Sequence, residues 1–455
     1  MIETTQPPLK KPQAFPRWLR FFAPGPPAAR ILTDALAIDA GFRSWQSKIL
    51  FSSIVGYATF YLVRKNMSVA MPAMEHDLQI PKNILGTFLT LHGVLYGISK
   101  FANGFFADRC NARSFMVVGL AASAILNLFF GLSSSVFALG VFWMLNGWVQ
   151  GMGFPPCARL LTHWFSPTKL ATKMSIWNTS HCIGGVVILL LTGYLVSRGW
   201  RLCFFVPAAM ALVCVVFLWF TLADTPASVG LPEVEGTKAV SALQGEGRQG
   251  AWTVLVDCVF RNKYIWYVSL ANFFVYTLRY AVFDWGPTVL KEAKHIEIKH
   301  GAWMVAGFEV SGAIGALLGG WVTERFFGGR PMRACIFFMA FAGISLLLFW
   351  QAAAESKIWI AALLCCTGFF IYGPQCLIGI AAANLATKRA AASAVGLTGL
   401  FGYSSTLLSG WGLGTLVKHY GWDAAFIGLL IIAVIGTIVS IAAWPAKAHG
   451  YSEIT

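Results

Sequence analysis

The chain has 455 residues, of which 57% are hydrophobic, 15% aromatic and only 12% charged, whereas soluble globular domains carry roughly 25% charged residues. Its mean hydropathy is +0.65, and apolar runs of about 20 residues recur along almost its whole length, each long enough to cross a bilayer. This composition excludes an ordinary soluble enzyme, a disordered chain, a collagen-like chain and a disulfide-stapled scaffold. The formal charge of +15 therefore points to membrane topology rather than to nucleic-acid binding.

In chain order, the sequence predicts an all-α integral membrane protein with twelve transmembrane helices in two pseudo-symmetric six-helix bundles. Residues 1–48 form a basic, Pro-rich cytoplasmic tail that lacks the apolar core of a secretory signal. Residues 49–222 form the N-terminal bundle, 223–263 a polar cytoplasmic linker rich in Pro, Gly and Glu, 264–444 the C-terminal bundle and 445–455 a second cytoplasmic tail. The predicted spans are 49–72, 84–106, 114–133, 137–158, 175–196, 202–222, 264–290, 301–323, 334–351, 358–384, 390–416 and 424–444.

Basic residues are distributed unequally between the two sides of this topology. When both termini are placed in the cytoplasm, 22 of the 34 Lys and Arg residues lie in cytoplasmic segments, 8 lie in outside loops and four lie inside spans. The positive-inside rule then predicts that both termini face the cytoplasm. We expect a multi-pass protein of a bacterial-type cytoplasmic membrane.

Landmarks of the first half recur in the second half in the same order. Gly104-Phe-Phe-Ala-Asp108-Arg109 follows span 2 and Gly320-Trp-Val-Thr-Glu324-Arg325 follows span 8, while Arg64 of span 1 is matched by Arg279 of span 7. An even number of spans per half gives both halves the same orientation, which is the parallel-repeat geometry of many transporters. The sequence therefore predicts a site between the halves.

The repeated loop after spans 2 and 8 is interpreted as a conformational latch. A small residue lets two helices approach closely, while acidic and basic side chains form a cytoplasmic network that breaks and reforms. The alternative is that these charges only set the topology. The candidate members of the latch are Asp108, Arg109, Arg113, Glu324, Arg325 and Arg330.

Two arginines inside spans are the principal candidates for binding. An arginine near the bilayer centre costs about 2.5–3.5 kcal/mol on insertion scales, so Arg64 and Arg279, each 15 residues into its span, need a reason to be there. A guanidinium matches a phosphate group with two parallel hydrogen bonds, which predicts a shared phosphate in a central cavity. The alternative is snorkelling to an interface, or pairing with Asp284 or Glu309.

Three further ionisable residues lie inside the spans near these arginines. Lys100 either adds a positive charge to the cavity or snorkels to the cytoplasmic face. Lys65 follows Arg64 directly and points about 100° away on a helix, which favours a supporting role. His181, in Trp177-Asn178-Thr-Ser-His181, is a candidate donor to phosphate, with simple packing as the alternative.

Six tyrosines inside spans need either a hydrogen-bond partner or a watery cavity. Tyr57, Tyr61 and Arg64 fall on one face of a helix because of their spacing, and Tyr276 stands three residues before Arg279 in the same relation. A repeated Tyr-x-x-Arg step favours a cavity lining over core packing. The six are Tyr57, Tyr61, Tyr96, Tyr276, Tyr372 and Tyr403.

These motifs resemble the major facilitator superfamily over nearly the whole chain and, within it, the organophosphate:phosphate antiporters, closest to the hexose-phosphate transporter and sensor branch. The resemblance rests on Tyr61-Leu-Val-Arg64-Lys65-Asn66, Tyr96-Gly-Ile-Ser-Lys100, Asp108-Arg109-Cys-Asn-Ala-Arg113, Gly151-Met-Gly-Phe-Pro-Pro, Trp177-Asn-x-x-His181 and Tyr372-Gly-Pro374. It implies that Arg64 and Arg279 bind phosphate, with His181, Lys100 and the tyrosines nearby. It also places Phe154 where the family often has tryptophan. Lys65, Asn178 and Glu309 are candidate supporting or gating residues.

The function that follows is one-for-one exchange of a sugar phosphate, glucose 6-phosphate, for inorganic phosphate by alternating access. The alternative is a membrane sensor that binds the same ligand and signals to a partner kinase without transporting it. A membrane enzyme is excluded because the sequence has no metal-ligand cluster, phosphate loop or paired nucleophile and base. We expect no cofactor, no nucleic-acid partner and a monomer. Span 11 carries no charge over Ala390–Val417, which leaves the choice of sugar open.

Overall fold

The computed structural model describes residues 21–23, 28, 32–107, 110–166, 173–174, 176–234, 256–386 and 391–446, and within these ranges the secondary structure is entirely helical. Fourteen α-helices are labelled in chain order. They are α1 (Ala35–Leu62), α2 (Met67–Leu78), α3 (Lys82–Ala107), α4 (Ala112–Leu132), α5 (Val136–Gln150), α6 (Phe154–Trp164), α7 (Ser180–Leu195), α8 (Leu202–Thr221), α9 (Lys263–Glu292), α10 (Ile298–Phe327), α11 (Pro331–Gln351), α12 (Lys357–Leu385), α13 (Ala391–Ser404) and α14 (Leu413–Ala442).

Seven of the described segments are long and apolar enough to cross a membrane by composition alone, and one of them, Ala394–Ala442, is 49 residues long. That segment makes two passes, since α14 is interrupted at Gly421, whose φ of 75° and ψ of −176° are not helical. The remaining transmembrane passes are too polar, or consist of helices that are too short, to be recognised by length and hydropathy alone. Together the described helices account for the twelve predicted spans.

Two predicted spans are each broken by at least three consecutive non-helical residues. Span 1 consists of α1 and α2, which are separated by non-helical residues 63–66, and span 4 consists of α5 and α6, which are separated at 151–153. Span 1 also begins earlier than predicted, because Asp34 caps the helix by accepting a hydrogen bond from the Ala37 amide at 3.0 Å. Helix α1 thus includes residues 35–48 of the segment assigned to the N-terminal tail.

The described helices form two halves, α1–α8 and α9–α14, which meet along four pairs of helices: α2 with α9, α3 with α13, α3 with α14, and α7 with α10. We call the side where α1 begins and α14 ends the terminal face, and the side where α3 begins and α9 ends the opposite face. The predicted binding residues lie between these faces, where the two halves meet. The architecture therefore places the candidate site at the interface of the halves.

The halves are packed tightly at the opposite face. A Cβ added to Gly414 would lie 2.7 Å from the carbonyl oxygen of Lys82 and 3.2 Å from the Trp285 ring, so only glycine allows this approach. Lys82 Nζ lies 2.6 Å from Glu75 Oε1 in its own half and 3.2 Å from Glu292 Oε1 in the other half. Hydrogen bonds and ion pairs between described residues of the two halves extend no further toward the terminal face than Lys100 and Tyr403. The described part of the interface is thus closed at the opposite face.

Candidate substrate-binding site

Arg64 lies in the break between α1 and α2 rather than on a helix face, which corrects the prediction of a continuous span. Its side chain is 8% exposed, and its guanidinium carbon lies 3.9 Å from the centre of the Tyr61 ring and 4.6 Å from that of the Tyr96 ring. Within the described residues Arg64 forms no ion pair with an acid, and its buried Nε has no hydrogen-bond partner. Arg64 is therefore held by aromatic rings and keeps hydrogen-bonding capacity for a ligand.

Arg279 lies within the continuous helix α9 and is also buried, with 5% exposure. Its Nε donates to the Tyr372 hydroxyl at 2.8 Å, its Nη2 lies 3.8 Å from Glu309 Oε1, and the Tyr372 hydroxyl donates to the same carboxylate. For Arg279 the geometry thus agrees with the alternative of pairing with an acid, because Glu309 of α10 supplies a counter-charge. The other oxygen of Glu309, Oε2, is buried without a hydrogen-bond partner among the described residues.

Lys65 joins the two halves. Its Nζ lies 2.6 Å from Asp284 Oδ1 of α9 and sits over the rings of Tyr280 and Phe283, at 4.5 and 4.9 Å from their centres. The side chains of Lys65 and Asp284 are 13% and 7% exposed. Asp284, considered above as a partner for an arginine, therefore pairs with the adjacent lysine and leaves Arg64 free of it.

Lys100 extends the positive region toward the terminal face. Its Nζ lies 3.8 Å from the centre of the Phe154 ring and 3.5 Å from the hydroxyl of Tyr403, which belongs to the other half. Of the two alternatives for Lys100, this geometry agrees with a place in the cavity. Phe154 in turn packs edge-on against Trp177 at 5.2 Å and Tyr57 at 6.0 Å.

The predicted tyrosines surround these cations. The hydroxyls of Tyr57 and Tyr96 lie 3.5 Å apart, and the Tyr96 ring packs edge-on against Tyr403 at 4.8 Å, which itself lies 6.0 Å from Tyr276. The repeated Tyr-x-x-Arg step is close in only one half, since Arg279 is 6.0 Å from Tyr276 but 4.6 Å from Tyr372.

His181 lies at the edge of this group, near the start of α7. Its ring centre is 6.0 Å from that of Tyr61, its Nδ1 is hydrogen-bonded to the carbonyl of Asn178, and its Nε2 lies 3.4 Å from Cys182 Sγ. Asn178 thus contributes its backbone rather than its exposed side chain. Both ring nitrogens therefore have a partner, and Nε2, whose partner is a weakly hydrogen-bonding thiol, is the one that could exchange it for a ligand.

Two aromatic residues of this site were not among the predicted residues. Tyr280 is 9% exposed and lies beside both Lys65 and Arg279, and Trp177 is 2% exposed and packs 5.0 Å from Tyr57 while its Nε1 donates to the carbonyl of Ser53. Tyr280 follows Arg279 directly, so the spacing argument that selected Tyr276 passed over it. A check of the residues directly adjacent to each intramembrane arginine would have found Tyr280, and Trp177 already stands in the motif that contains His181.

The predicted latch residues are described only in part. Asp108 and Arg109 fall outside the described residues, as does the side chain of Glu324. Arg113 lies with its guanidinium carbon 4.6 Å from the Trp219 ring, Arg325 is exposed in the last turn of α10, and Arg330 immediately precedes α11. These residues are not brought together as one network in the described part of the chain.

An ion pair that sequence analysis missed holds elements of the first half together at the terminal face. Arg159 Nη1 of α6 lies 3.3 Å from Asp224 Oδ1 and donates to the carbonyl of Ala107 at 3.1 Å, while Asp224 Oδ1 accepts from the amide of Ala112 at 2.8 Å. This pair joins the end of α3, the start of α4 and the segment after α8. Neither Arg159 nor Asp224 belongs to the landmarks that recur in the two halves, so no repeat pointed to them.

The site as a whole combines two buried guanidiniums from different halves with two lysines, and many hydroxyl groups. Such a set attracts a multivalent oxyanion and supplies bidentate donors to it. No group of three His, Cys, Asp or Glu residues that could hold a metal ion occurs among the residues that the structure describes. The guanidinium, ammonium and hydroxyl donors make the site suited to binding an anion.

Comparison with known proteins agrees with this architecture. The family profile of the Major Facilitator Superfamily matches residues 53–410. A bacterial homolog of the human lysosomal transporter Spinster has the same fold, with a TM-score of 0.75 at 16% identity over 88% of this chain and 97% of that protein.

Three relatives of known description match over almost their whole lengths. The probable hexose phosphate transport protein of Chlamydia pneumoniae is 36% identical over 94% of this chain and 97% of its own. The glycerol-3-phosphate transporter of Bacillus subtilis (strain 168) is 37% identical over 94% and 98%, and the membrane sensor protein UhpC of Escherichia coli (strain K12) is 36% identical over 92% and 96%. The chain is therefore a multi-pass membrane protein of the major facilitator superfamily and belongs to its organophosphate:phosphate antiporter family, a family of transporters and not of enzymes.

Proposed function

We propose that the protein exchanges a sugar phosphate, glucose 6-phosphate, for inorganic phosphate across a bacterial-type cytoplasmic membrane. The observation that carries the proposal is Arg64, a buried guanidinium that no described acid neutralises. An uncompensated charge in a low-dielectric site is costly, and a bound phosphate would remove that cost. The relatives support a phosphorylated organic substrate, since their descriptions name hexose phosphate and glycerol 3-phosphate transport.

The placement of the two arginines gives alternating access a physical basis. Arg64 belongs to the first half and Arg279 to the second, so a phosphate that accepts hydrogen bonds from both guanidiniums would draw the halves together. The empty cavity keeps a buried positive charge that opposes closure. Exchange without net uptake then follows, because only the anion-loaded carrier crosses readily. On the predicted orientation, the face sealed by Lys82 and Gly414 would be the external one.

Binding roles are proposed for the residues that surround this phosphate position. Arg64 and Arg279 would hold the phosphoryl oxygens, Lys100 and His181 would add donors, and the hydroxyls of the tyrosines would line the sugar. Glu309 and Lys65 would act as gating residues, since each contacts the opposite half: Glu309 lies beside Gly185 of α7 and Lys65 pairs with Asp284. Phe154 would form the part of the cavity wall that contacts the Lys100 ammonium group.

The test is uptake of labelled phosphate and glucose 6-phosphate into liposomes that contain the purified protein and are either preloaded with phosphate or left empty. We expect uptake only with internal anion, and we expect Arg64→Lys and Arg279→Lys to lose at least tenfold, because lysine keeps the charge but not the paired donors. Arg198→Lys, in the exposed 3-10 turn that follows α7, is the matched control. Normal exchange by both site variants would refute the proposal.

A second candidate function is sensing without transport, with the phosphorylated ligand detected on behalf of a partner kinase. The observation that favours it is the relative described as a membrane sensor protein, which is 36% identical over 92% of this chain, as similar as the transporters. Binding and uptake measured with the same liposomes distinguish the transporter from the sensor. Saturable binding of glucose 6-phosphate with no uptake into preloaded vesicles would favour the sensor.

A further inference from the structure

Behind Arg64, on the side of the first half away from α9, lies a buried cluster of amide and hydroxyl side chains, which we call the amide cluster. Its members are 0–1% exposed, although nothing in the exchange mechanism uses them. Buried polar groups are costly unless they are hydrogen-bonded, so a cluster of five needs an explanation. The members are Asn66, Ser123, Asn127, Asn146 and Gln150.

The amide cluster converges on one backbone carbonyl. Asn127 Nδ2 of α4 donates to the carbonyl oxygen of Val63 at 2.9 Å, and Asn146 Nδ2 of α5 donates to the same oxygen at 2.8 Å. Val63 is the C-cap residue directly after the end of α1, and the last carbonyls of a helix have no intrahelical donor. Two amides from two different helices thus satisfy the carbonyl that the break leaves without a helical partner.

The rest of the cluster fixes the other side of the break. Asn66 Nδ2 donates to Asn127 Oδ1 at 2.9 Å and to the carbonyl of Cys203 at 3.0 Å, which anchors the start of α2. Ser123 Oγ donates to Asn146 Oδ1 at 2.5 Å and accepts from Gln150 Nε2 at 2.8 Å. Residues 63 and 66 are therefore both bonded to the cluster, and Arg64 and Lys65 lie between them.

A continuous helix would satisfy the Val63 carbonyl with a backbone amide four residues later and would need no side chain. In the second half the corresponding helix, α9, is continuous, and Arg279 lies within it. The cluster therefore stabilises a backbone shape that only the first half has.

From this we infer that Asn127 and Asn146 are positioning residues, which hold the break between α1 and α2 so that the Arg64 guanidinium sits between Tyr61 and Tyr96. Their position is distinct from the binding surface, because both are 1% exposed and bond to backbone rather than toward the cavity. The consequence for ligand affinity rests on the proposed function, whereas the positioning itself does not.

The experiment measures the reaction of phenylglyoxal with each arginine of the purified full-length protein, read residue by residue by mass spectrometry. We expect Asn127→Ala, Asn146→Ala and their combination to make Arg64 react at least threefold faster, because the guanidinium leaves its position between the rings. Arg279 in the same molecules should keep its wild-type rate. If the double variant does not fold, as judged by gel filtration and thermal melting, the two single variants decide.

Asn272→Ala is the matched control. Asn272 is a buried asparagine of α9 that also donates to a carbonyl of another helix, that of Thr398 at 2.7 Å, but it lies away from the break. It should leave the rate at Arg64 unchanged. An equal increase in the reaction rate at Arg64 and Arg279, or no change at Arg64 in the folded single variants, would overturn the inference. The amide cluster would then contribute only to packing.

Inorganic phosphate separates this inference from the proposed function. In the wild-type protein, phosphate should slow the labelling of both Arg64 and Arg279, and in the folded single variants it should protect Arg64 at least threefold less well at equal concentration. Absence of protection in the wild type would count against the proposed function alone. The comparison of rates without phosphate would still decide whether Asn127 and Asn146 position Arg64.

Discussion

Lys65 and Asp284 form an ion pair that joins the two halves of the molecule next to the candidate site. The ammonium nitrogen of Lys65 lies 2.6 Å from Asp284 Oδ1, and the side chains are only 13% and 7% exposed. The neighbouring Arg64 has no such partner among the described residues. Two consecutive cations therefore have different environments, one neutralised across the interface and one open to an anion.

Removal of one member of this pair should destabilise the protein strongly. Asp284→Asn leaves the Lys65 charge buried beside Tyr280 and Phe283, and an uncompensated buried charge costs about 3–5 kcal/mol. We expect a clearly lowered melting temperature in detergent, and recovery of most of the loss in the double variant Lys65→Met/Asp284→Asn. Asp77→Asn, which alters an exposed pair with His76, should be close to neutral. A wild-type melting temperature for Asp284→Asn would contradict this interpretation.

The sequence was sufficient to locate the helices and the cations but not the local geometry of the first span. The cost of a charge in hydrocarbon singled out Arg64 and Arg279, and both are buried at the interface of the halves. The break at residues 63–66 was not predicted, because the donors that stabilise it come from Asn127 and Asn146, which are more than 60 residues away in the chain. Hydropathy reports an apolar run and cannot report a bend within it.

The pairing of charges was also beyond the sequence. Asp284 and Glu309 were both available to the arginines, and only the packing of α9 and α10 against α7 and the break decides that Glu309 takes Arg279 while Asp284 takes Lys65. Internal symmetry was misleading here, since it treated Arg64 and Arg279 as equivalent. Their surroundings differ because one lies in a break and the other in a helix.

The close approach of the halves at Gly414 predicts a specific defect. In Gly414→Ala the added Cβ would lie 2.7 Å from the Lys82 carbonyl oxygen, and overpacking of this kind costs about 1–3 kcal/mol. Because that cost falls on the state closed at the opposite face, we expect the exchange rate in liposomes to fall about tenfold, as about 1.4 kcal/mol implies. Gly399→Ala, which has open space around it, is the control. Equal rates for the two variants would show that this contact does not limit the transition.

Glu309, the counter-charge of Arg279, should compete with the ligand for the Arg279 guanidinium. Glu309 Oε1 lies 3.8 Å from the guanidinium and accepts from Tyr372, so a phosphate oxyanion must share Arg279 with a carboxylate. We expect Glu309→Gln to tighten the binding of radiolabelled inorganic phosphate by about tenfold, which corresponds to about 1.4 kcal/mol.

Glu355→Gln is the control, because it makes the same substitution at an exposed acid between α11 and α12, outside the site, and should leave the affinity for phosphate unchanged. Gln46→Glu and Gln351→Glu are unsuitable as controls because each adds a charge. Weaker binding by Glu309→Gln would mean that the carboxylate orients Arg279 rather than competes for it. Tyr372→Phe would then be expected to weaken binding in the same direction, since it removes the other contact that orients the guanidinium.

Phe154 should contribute to affinity through Lys100. The ammonium nitrogen lies 3.8 Å from the centre of the Phe154 ring, and cation–π contacts are worth about 0.5–2 kcal/mol, with tryptophan the strongest partner. Phe154→Leu should therefore weaken the binding of inorganic phosphate by roughly 2- to 30-fold, whereas Phe154→Trp should bind at least as tightly as the wild type. Phe220→Leu, on a side chain that is 77% exposed, controls for loss of an aromatic ring. If Phe154→Leu and Phe220→Leu bind phosphate equally well, Lys100 does not need the ring, and its contact with the Tyr403 hydroxyl at 3.5 Å is sufficient to hold it in the cavity.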